Sequence, residues 1–316
     1  MKLTFWNFIR TKAPLMGYPY KGETIDCPGC GGHGERIARV DRYWKFLPTD
    51  ICTTCGLFFT NPMPTDGELE EYYRVMYRST YGWAFKSVPK AHAEKKKKDA
   101  ARRSGVIASF FENPRGLRSL DFGCGLGELV AALERTGFDA YGFEPGDVWS
   151  QHLSSERIRH GTWQSVQYDA EAFDFVSIMH VLEHLRSPRS CLQKIHGLLK
   201  QDGLLWIEVP DMQAYGTKSG KRFHFAHVLG FSRDNLISMA FECGFVPVRE
   251  VAKEEIGKSR SQVSIVFRKA NPEDVLTVDV SATARKNMKE YGEFSHARHA
   301  IETIGTRLGL EAGRKR

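Results

Sequence analysis

From residue 117 onward, short apolar runs alternate with amphipathic stretches. LRSLDF (117–122) reads as a strand, and Leu126, Leu129, Val130 and Leu133 then recur at i, i+3, i+4 and i+7 up to Gly137, the pattern of a helix closed by a glycine. DAYGFE (139–144), FDFVSIM (173–179) and LLWIEV (204–209) predict three further strands. A helix is expected around 189–200 with Gly203 closing it, and Ser232 is placed to cap another that reaches Gly244. Such alternation argues an α/β fold, a parallel sheet covered on both faces. The last two strands, 246–252 and 262–268, have no helical pattern between them and are expected to pair antiparallel.

Upstream the pattern changes. NPMPTDGELEEYY (61–73) leads from a proline turn into a helix with Thr65 as its expected cap, and residues 67–113 read as helical and highly charged. The tail 281–311 is expected to be helical, with Ile301, Ile304 and Leu308 on one side. The expected division is a module at 1–66, a helical linker at 67–116, a main domain at 117–268 and a helical tail at 269–316.

The chain has 316 residues, 41% of them hydrophobic, enough for a full core. No run approaches about 18 apolar residues, and the opening lacks the apolar stretch and cleavage site of a signal peptide, so a cytoplasmic protein without a transmembrane segment is expected. The N-terminus mixes Phe5, Trp6, Phe8 and Ile9 with Lys2, Arg10 and Lys12; it is expected to dock on its own protein, with contact to a membrane surface as the alternative. Net charge is +7, which favours an anionic partner. Part of the excess is the run Lys95–Lys98, read as a solvated helix face.

Two C-x-x-C pairs, Cys27 with Cys30 and Cys52 with Cys55, are separated by 21 residues. That is the spacing of a four-thiolate zinc site, and four protein ligands leave no open position for a substrate, so a structural zinc is expected. Cys124, Cys191 and Cys243 lie in apolar surroundings and read as buried small residues.

The stretch LDFGCGLGEL (120–129) asks for a ligand. Its glycines are spaced G-x-G-x-G and follow Asp121, whereas a dinucleotide fingerprint is G-x-G-x-x-G and offers helix N–H groups to a pyrophosphate. A carboxylate at Asp121 repels a pyrophosphate and suits a cationic amine, such as the amino-acid end of S-adenosylmethionine. Glu144 ends the next strand, placed to take both hydroxyls of a ribose. With these features, residues 117–268 resemble the class I S-adenosylmethionine-dependent methyltransferases, and HVLEHLRSP (180–188) and GLLWIEVPD (203–211) place the likeness in one branch of that class. The resemblance implies a doubly wound, mostly parallel sheet of seven strands with the last reversed. It also implies cofactor contacts at Asp121, Gly123, Gly125, Gly127, Glu144, Met179 and His180.

The cysteine module running into CGLFFTNPMP (55–64) and a Tyr-rich helix resembles the front of sugar methyltransferases from deoxysugar and surface-polysaccharide pathways. Those that methylate carbon continue into a long C-terminal domain; here about 48 residues follow the last strand, which favours a hydroxyl acceptor. A sugar hydroxyl is a poor nucleophile and gains from a general base. The candidates are His184 and His227 first, then Glu183, with His180 and His224 nearby. His180, Glu183 and His184 share one helix face if helical, and related enzymes hold a divalent ion through an E-x-x-E-H version of this motif with a later histidine. The leading expectation is therefore an O-methyltransferase of a nucleotide sugar or surface glycan. An RNA methyltransferase and a non-catalytic, cofactor-binding zinc scaffold are the alternatives.

Overall fold

A computed structural model of the chain describes residues 13–43, 45–77, 90–145, 157–215, 223–257, 262–275 and 278–292. The expected features at the extreme N-terminus and at Ile301, Ile304 and Leu308 lie outside these residues. The N-terminal segment contributes β1 (Gly34–Val40), β2 (Phe46–Cys52), β3 (Phe58–Thr60), α1 (Asp66–Val75) and α2 (Lys90–Ala108). Next come β4 (Arg118–Phe122), α3 (Glu128–Arg135), β5 (Asp139–Glu144), β6 (Ile158–His160) and β7 (Phe173–Met179). They are followed by α4 (Pro188–Leu198), β8 (Leu199–Pro210), β9 (Leu229–Gly230) and α5 (Arg233–Glu242). β10 (Phe245–Glu250), β11 (Gln262–Lys269) and α6 (Val280–Gly292) come last.

Seven strands form one sheet in the order β10-β11-β8-β7-β4-β5-β6, with β11 antiparallel to both its neighbours and the rest parallel. This is the expected doubly wound sheet with its late strand reversed. The order reverses at β4, so the loops after β4 and β7 open a crevice at the carboxyl ends of the strands, where ligands bind in such sheets. The central strands β4, β7 and β8 are covered by helices, and Leu120, Val176 and Ile207 are fully buried.

One expected boundary is corrected. The helix around 189–200 ends at Leu198, and β8 starts at once, so Gly203 lies inside a strand instead of closing a helix. Leu199 pairs with Phe173 while Leu204 pairs with Phe175, and the extra residues bulge out of the ladder. The helical period ran on through Leu198 and Leu199, and strand pairing won over it.

A second sheet joins the N-terminal segment to the main fold. Its order is β1-β2-β3-β9, all antiparallel, so its fourth strand comes from the segment after β8. One apolar cluster accordingly runs from Cys27, Leu47 and Phe59 through Phe225 and Met239 to Ile178 and Ile207. α6 covers the junction: Asn287 Nδ2 donates to Gly56 O at 3.0 Å and Tyr291 OH donates to Met212 O at 2.7 Å. α1 begins with the expected cap. Thr65 accepts from Glu68 N, and the Glu68 carboxylate accepts from Thr65 N and also from Lys21 N and Gly22 N. Among the described residues no helix is long and apolar enough to cross a membrane.

Gly203 gives a test of the bulge. A Cβ there would lie 3.0 Å from Lys200 O and 3.1 Å from Phe173 O, both backbone atoms that cannot swing away. Gly203→Ala is expected to destabilise the fold by about 1–3 kcal/mol through this crowding. A urea unfolding midpoint equal to that of the wild type would refute the bulge geometry.

Candidate functional site

The loop between β4 and α3 has the three glycines in the left-handed region, Gly123 at φ +70°, Gly125 at +56° and Gly127 at +76°. L side chains avoid that region, so the G-x-G-x-G spacing is what allows the chain to turn from strand to helix here. A Cβ on Gly123 would lie 2.5 Å from Val181 Cγ2, whereas a Cβ on Gly125 would meet nothing within 4 Å among the described residues. The Gly125 N–H donates to Glu144 Oε2 at 3.0 Å, which brings the acid ending β5 against the glycine loop.

Asp121 is buried near the end of β4, and Ser177 of β7 donates to its Oδ1 at 2.6 Å. Burial raises its pKa to about 6, helped by Glu144 and opposed by the Ser177 bond and Arg103. A carboxylate so poorly compensated favours the arrival of a cation. Asp121, the glycines and Glu144 thus form one face of the crevice, and this donor and acceptor set fits the amine and ribose of S-adenosylmethionine. Met179 closes β7 and packs on a second apolar cluster that includes Trp206.

His180 follows with φ +57°, a strained conformation for a non-glycine residue. Its N–H donates to Glu208 O at 2.8 Å, and its ring lies between two carboxylates, with Nε2 3.0 Å from Glu208 Oε1 and Nδ1 3.4 Å from Glu183 Oε1. Burial opposes protonation of this ring, but the two carboxylates outweigh it and push the value up to about 9. His180 is therefore an imidazolium at neutral pH and has no lone pair to accept a proton. Glu208 is fully buried; burial alone would raise it, but His180 and Arg103 hold it at about 2.

The turn Leu182–His184 brings Glu183 and His184 toward the segment 223–230. Glu183 is 1% exposed, and neither of its carboxylate oxygens has a hydrogen-bond partner among the described residues. His184 Nε2 and His227 Nε2 each lie 3.8 Å from Glu183 Oε1. The two rings meet edge to face at 4.7 Å. Burial, reinforced by His184, Arg42 and His180, holds the His227 imidazole well below its ordinary value, so it stays neutral. His224 stacks on His227 at 3.8 Å, outside the group formed by Glu183, His184 and His227.

The four cysteines also converge. Cys27 Sγ lies 3.7 Å from Cys55 Sγ, and Cys30 Sγ lies 3.4 Å from Cys52 Sγ. Sulfurs about 2.3 Å from a central zinc form a tetrahedron with edges of about 3.8 Å, so the cluster fits that ion. Sulfur-to-sulfur contact lowers the Cys52 thiol and raises Cys27 and Cys55.

Sequence reading missed Ser177, Arg103, Glu208 and Tyr73. Tyr73 OH lies 2.7 Å from His184 Nδ1. Glu208 had a signal, a lone acid in the apolar run LLWIEV. Arg103 had none, being one cation among many in α2.

Residues 93–250, half of the chain, match the family model described as a methyltransferase domain. The chain belongs to this methyltransferase domain family. It is similar to the ubiquinone biosynthesis O-methyltransferase of Ruegeria pomeroyi, 36% identical over 97 residues that make up 28% of this chain and 39% of the relative. It is likewise similar to the enzyme of that name from Actinobacillus pleuropneumoniae serotype 7, 34% identical over 105 residues, 29% of this chain and 45% of the relative. The chain thus spans about two fifths of the length of these curated relatives. Among solved structures, the 1,6-didemethyltoxoflavin-N1-methyltransferase of Burkholderia thailandensis, with bound S-adenosylhomocysteine, aligns with a TM-score of 0.50. It is 18% identical, covers 68% of this chain and is itself covered over 96%. At that identity the likeness concerns the fold, which is that of the class I methyltransferases.

Asp121 gives a prediction with a defined sign. Its folded value of about 6 lies above the ordinary 3.8, so between these values the folded chain holds a proton that the unfolded chain has released. Stability therefore falls as pH rises through that window, and the deficit persists above it. Asp121→Asn is expected to raise the melting temperature above about pH 6, with the gain fading below about pH 4, while weakening S-adenosylmethionine binding at least about tenfold in calorimetry. Unchanged cofactor affinity would remove Asp121 from the pocket.

Proposed function

We propose that the protein is an S-adenosylmethionine-dependent methyltransferase that methylates a hydroxyl of an anionic small molecule, a nucleotide-linked sugar or the sugar of a growing glycan. The observation that carries this reading is that the segments after two adjacent parallel strands each carry a set of polar groups. The glycine loop after β4 brings Glu144 against Gly125 beside the buried Asp121, and the turn after β7 brings Glu183 and His184 to His227. S-adenosylmethionine supplies a methyl group already activated on a sulfonium. The protein's own residues supply alignment and proton acceptance.

Asp121 would hold the donor's ammonium and Glu144 its ribose hydroxyls, while the glycine backbone permits close approach. His227 is neutral and His184 carries a ring nitrogen toward the same point, so either is placed to accept the proton that an attacking hydroxyl gives up. His180, as an imidazolium, is excluded from that role and instead helps to balance Glu183 and Glu208. The relatives' printed name, O-methyltransferase, supports oxygen as the accepting atom. The sugar rests on the likeness of the cysteine module to sugar methyltransferases, and an anionic acceptor rests on the net charge of +7. Cys27, Cys30, Cys52 and Cys55 would hold a structural zinc that stabilises the sheet beside the site.

A second reading follows from Glu183. A fully buried carboxylate with both oxygens unbonded, beside the Nε2 atoms of two histidines, is also the donor set of a divalent cation. In that case His184 and His227 would be ligands, not bases.

The two readings separate by experiment. A panel of nucleoside diphosphate sugars and catechols, read by release of S-adenosylhomocysteine, should give turnover with the sugars, and turnover with catechols alone would reject the sugar acceptor. His→Gln at the true base should lower turnover by about 10²-fold or more with cofactor affinity nearly unchanged. Retention of more than about a third of turnover by both His184→Gln and His227→Gln would exclude base catalysis by either. Elemental analysis of protein purified under reducing conditions should give one zinc per chain, lost in Cys52→Ser. A second metal, lost in His227→Gln and with chelator-sensitive turnover, would establish the cation reading.

A further inference from the structure

His184 is held from two directions by segments distant in sequence. Its Nδ1 lies 2.6 Å from the carbonyl oxygen of Ala226 and 2.7 Å from the phenolic oxygen of Tyr73, and Tyr73 OH donates to the same carbonyl at 3.3 Å. A carbonyl oxygen only accepts, so contact at 2.6 Å requires the hydrogen to be on Nδ1. The Ala226 oxygen has two lone pairs and takes both the ring N–H and the phenolic O–H. With the other tautomer, two lone pairs would face each other at 2.6 Å, and the one hydrogen of Tyr73 OH would have to serve two acceptors, Nδ1 and the Ala226 oxygen. The lone pair of His184 therefore resides on Nε2, the atom that faces Glu183 Oε1 at 3.8 Å.

Tyr73 is anchored for such a task. It lies on α1, whose first turn is locked by Thr65 and Glu68, and its neighbour Tyr72 is fully buried against Phe225 at 4.6 Å. The Tyr73 ring meets the His184 ring edge-on, with centroids 6.0 Å apart at 72°. Its hydroxyl is the only part of Tyr73 that the tautomer argument needs, which separates this role from packing.

We propose that Tyr73 is a positioning residue: its hydroxyl, together with the Ala226 carbonyl, holds His184 in the Nδ1–H tautomer and aims Nε2 at Glu183 and His227. A residue of the N-terminal segment thereby sets the chemistry of a histidine in the methyltransferase fold. The inference rests on the reading of His184 as a working group of the site and deepens it by naming what orients that group.

The test uses the full chain labelled with ¹⁵N-histidine and studied without substrate at about pH 8, above the ordinary imidazole range. The His184 signals are assigned by their loss in His184→Gln. In the wild type, Nδ1 should carry the proton and Nε2 should show the shift of a bare ring nitrogen. Tyr73→Phe keeps the ring and removes the hydroxyl, and it should lower the tautomer ratio about fivefold, the change that matches one net hydrogen bond of about 1 kcal/mol. Its melting temperature should stay near that of the wild type; if the variant fails to fold, the wild-type tautomer alone decides. A protonated Nε2 in the wild type overturns the proposal, as does a folded Tyr73→Phe with an unchanged ratio. The failure of the functional reading is separate: it would appear as full turnover in His184→Gln, whatever the ring nitrogens show.

Discussion

Two main-chain pairs, Phe58 with Gly230 and Phe59 with Leu229, join the N-terminal sheet to the methyltransferase fold, and the geometry of the site depends on them. They belong to a continuous clamp on the segment 223–231. Phe223 O accepts from Arg42 N, Val228 O accepts from Thr60 N, and Phe231 O accepts from Met212 N. Lys45 lies 5.0 Å above the Phe225 ring. A segment that carries two histidines would otherwise be a surface loop, free to move on the timescale of loops. Clamped on both sides, it presents His227 to Glu183 and the Ala226 carbonyl to His184 as fixed groups. Any zinc held by Cys27, Cys30, Cys52 and Cys55 would bear on the chemistry through this sheet, since Cys52 ends β2 and Phe58 opens β3.

The electrostatics of the crevice follow from where its acids are buried. Arg103 pairs with Glu208, Glu208 with His180, and His180 approaches Glu183, so charges alternate along a line from α2 to the turn after β7. Breaking such a chain at one end leaves a buried charge uncompensated, which costs more than the pair contributes when intact. His180 is held at a positive φ by this line, consistent with backbone strain being maintained where a site requires a particular direction of side chain. The line ends at Glu183, and that is where His184 and the neutral His227 converge.

Much of the fold was legible because it is written in local periods. β4, β5 and β7 were readable as apolar runs, and Asp121 and Glu144 stood out because each is an acid at or near the end of one. The cysteines were legible from spacing alone. The contacts that define the acceptor side were not. Tyr73 and His184 are 111 residues apart, and Arg103 and Glu208 are 105 apart, so no window of the sequence contains either pair. β9 is two residues long and shows no alternation, and its role depends on β3 arriving beside it. The motif of His180, Glu183 and His184 does not lie on a long helix: Leu182–His184 form a short turn, which brings His184 and Glu183 to His227 and leaves the His180 ring between Glu183 and Glu208.

The three acids that the sequence singled out, Asp121, Glu144 and Glu183, share a physical character. Asp121 is buried beyond what its protein partners compensate, Glu183 is buried with neither oxygen hydrogen-bonded among the described residues, and Glu144 accepts from the Gly125 N–H of the glycine loop. In a resting chain such groups lower stability, and a stability-optimised sequence would replace them. Their retention makes sense if the compensation comes from outside: an ammonium at Asp121, hydroxyl groups at Glu144, and a proton or a cation shared among Glu183, His184 and His227. Binding free energy then arises where the folded chain is least satisfied, and the same desolvation that penalises the resting acids strengthens each of these contacts once the ligand has displaced water.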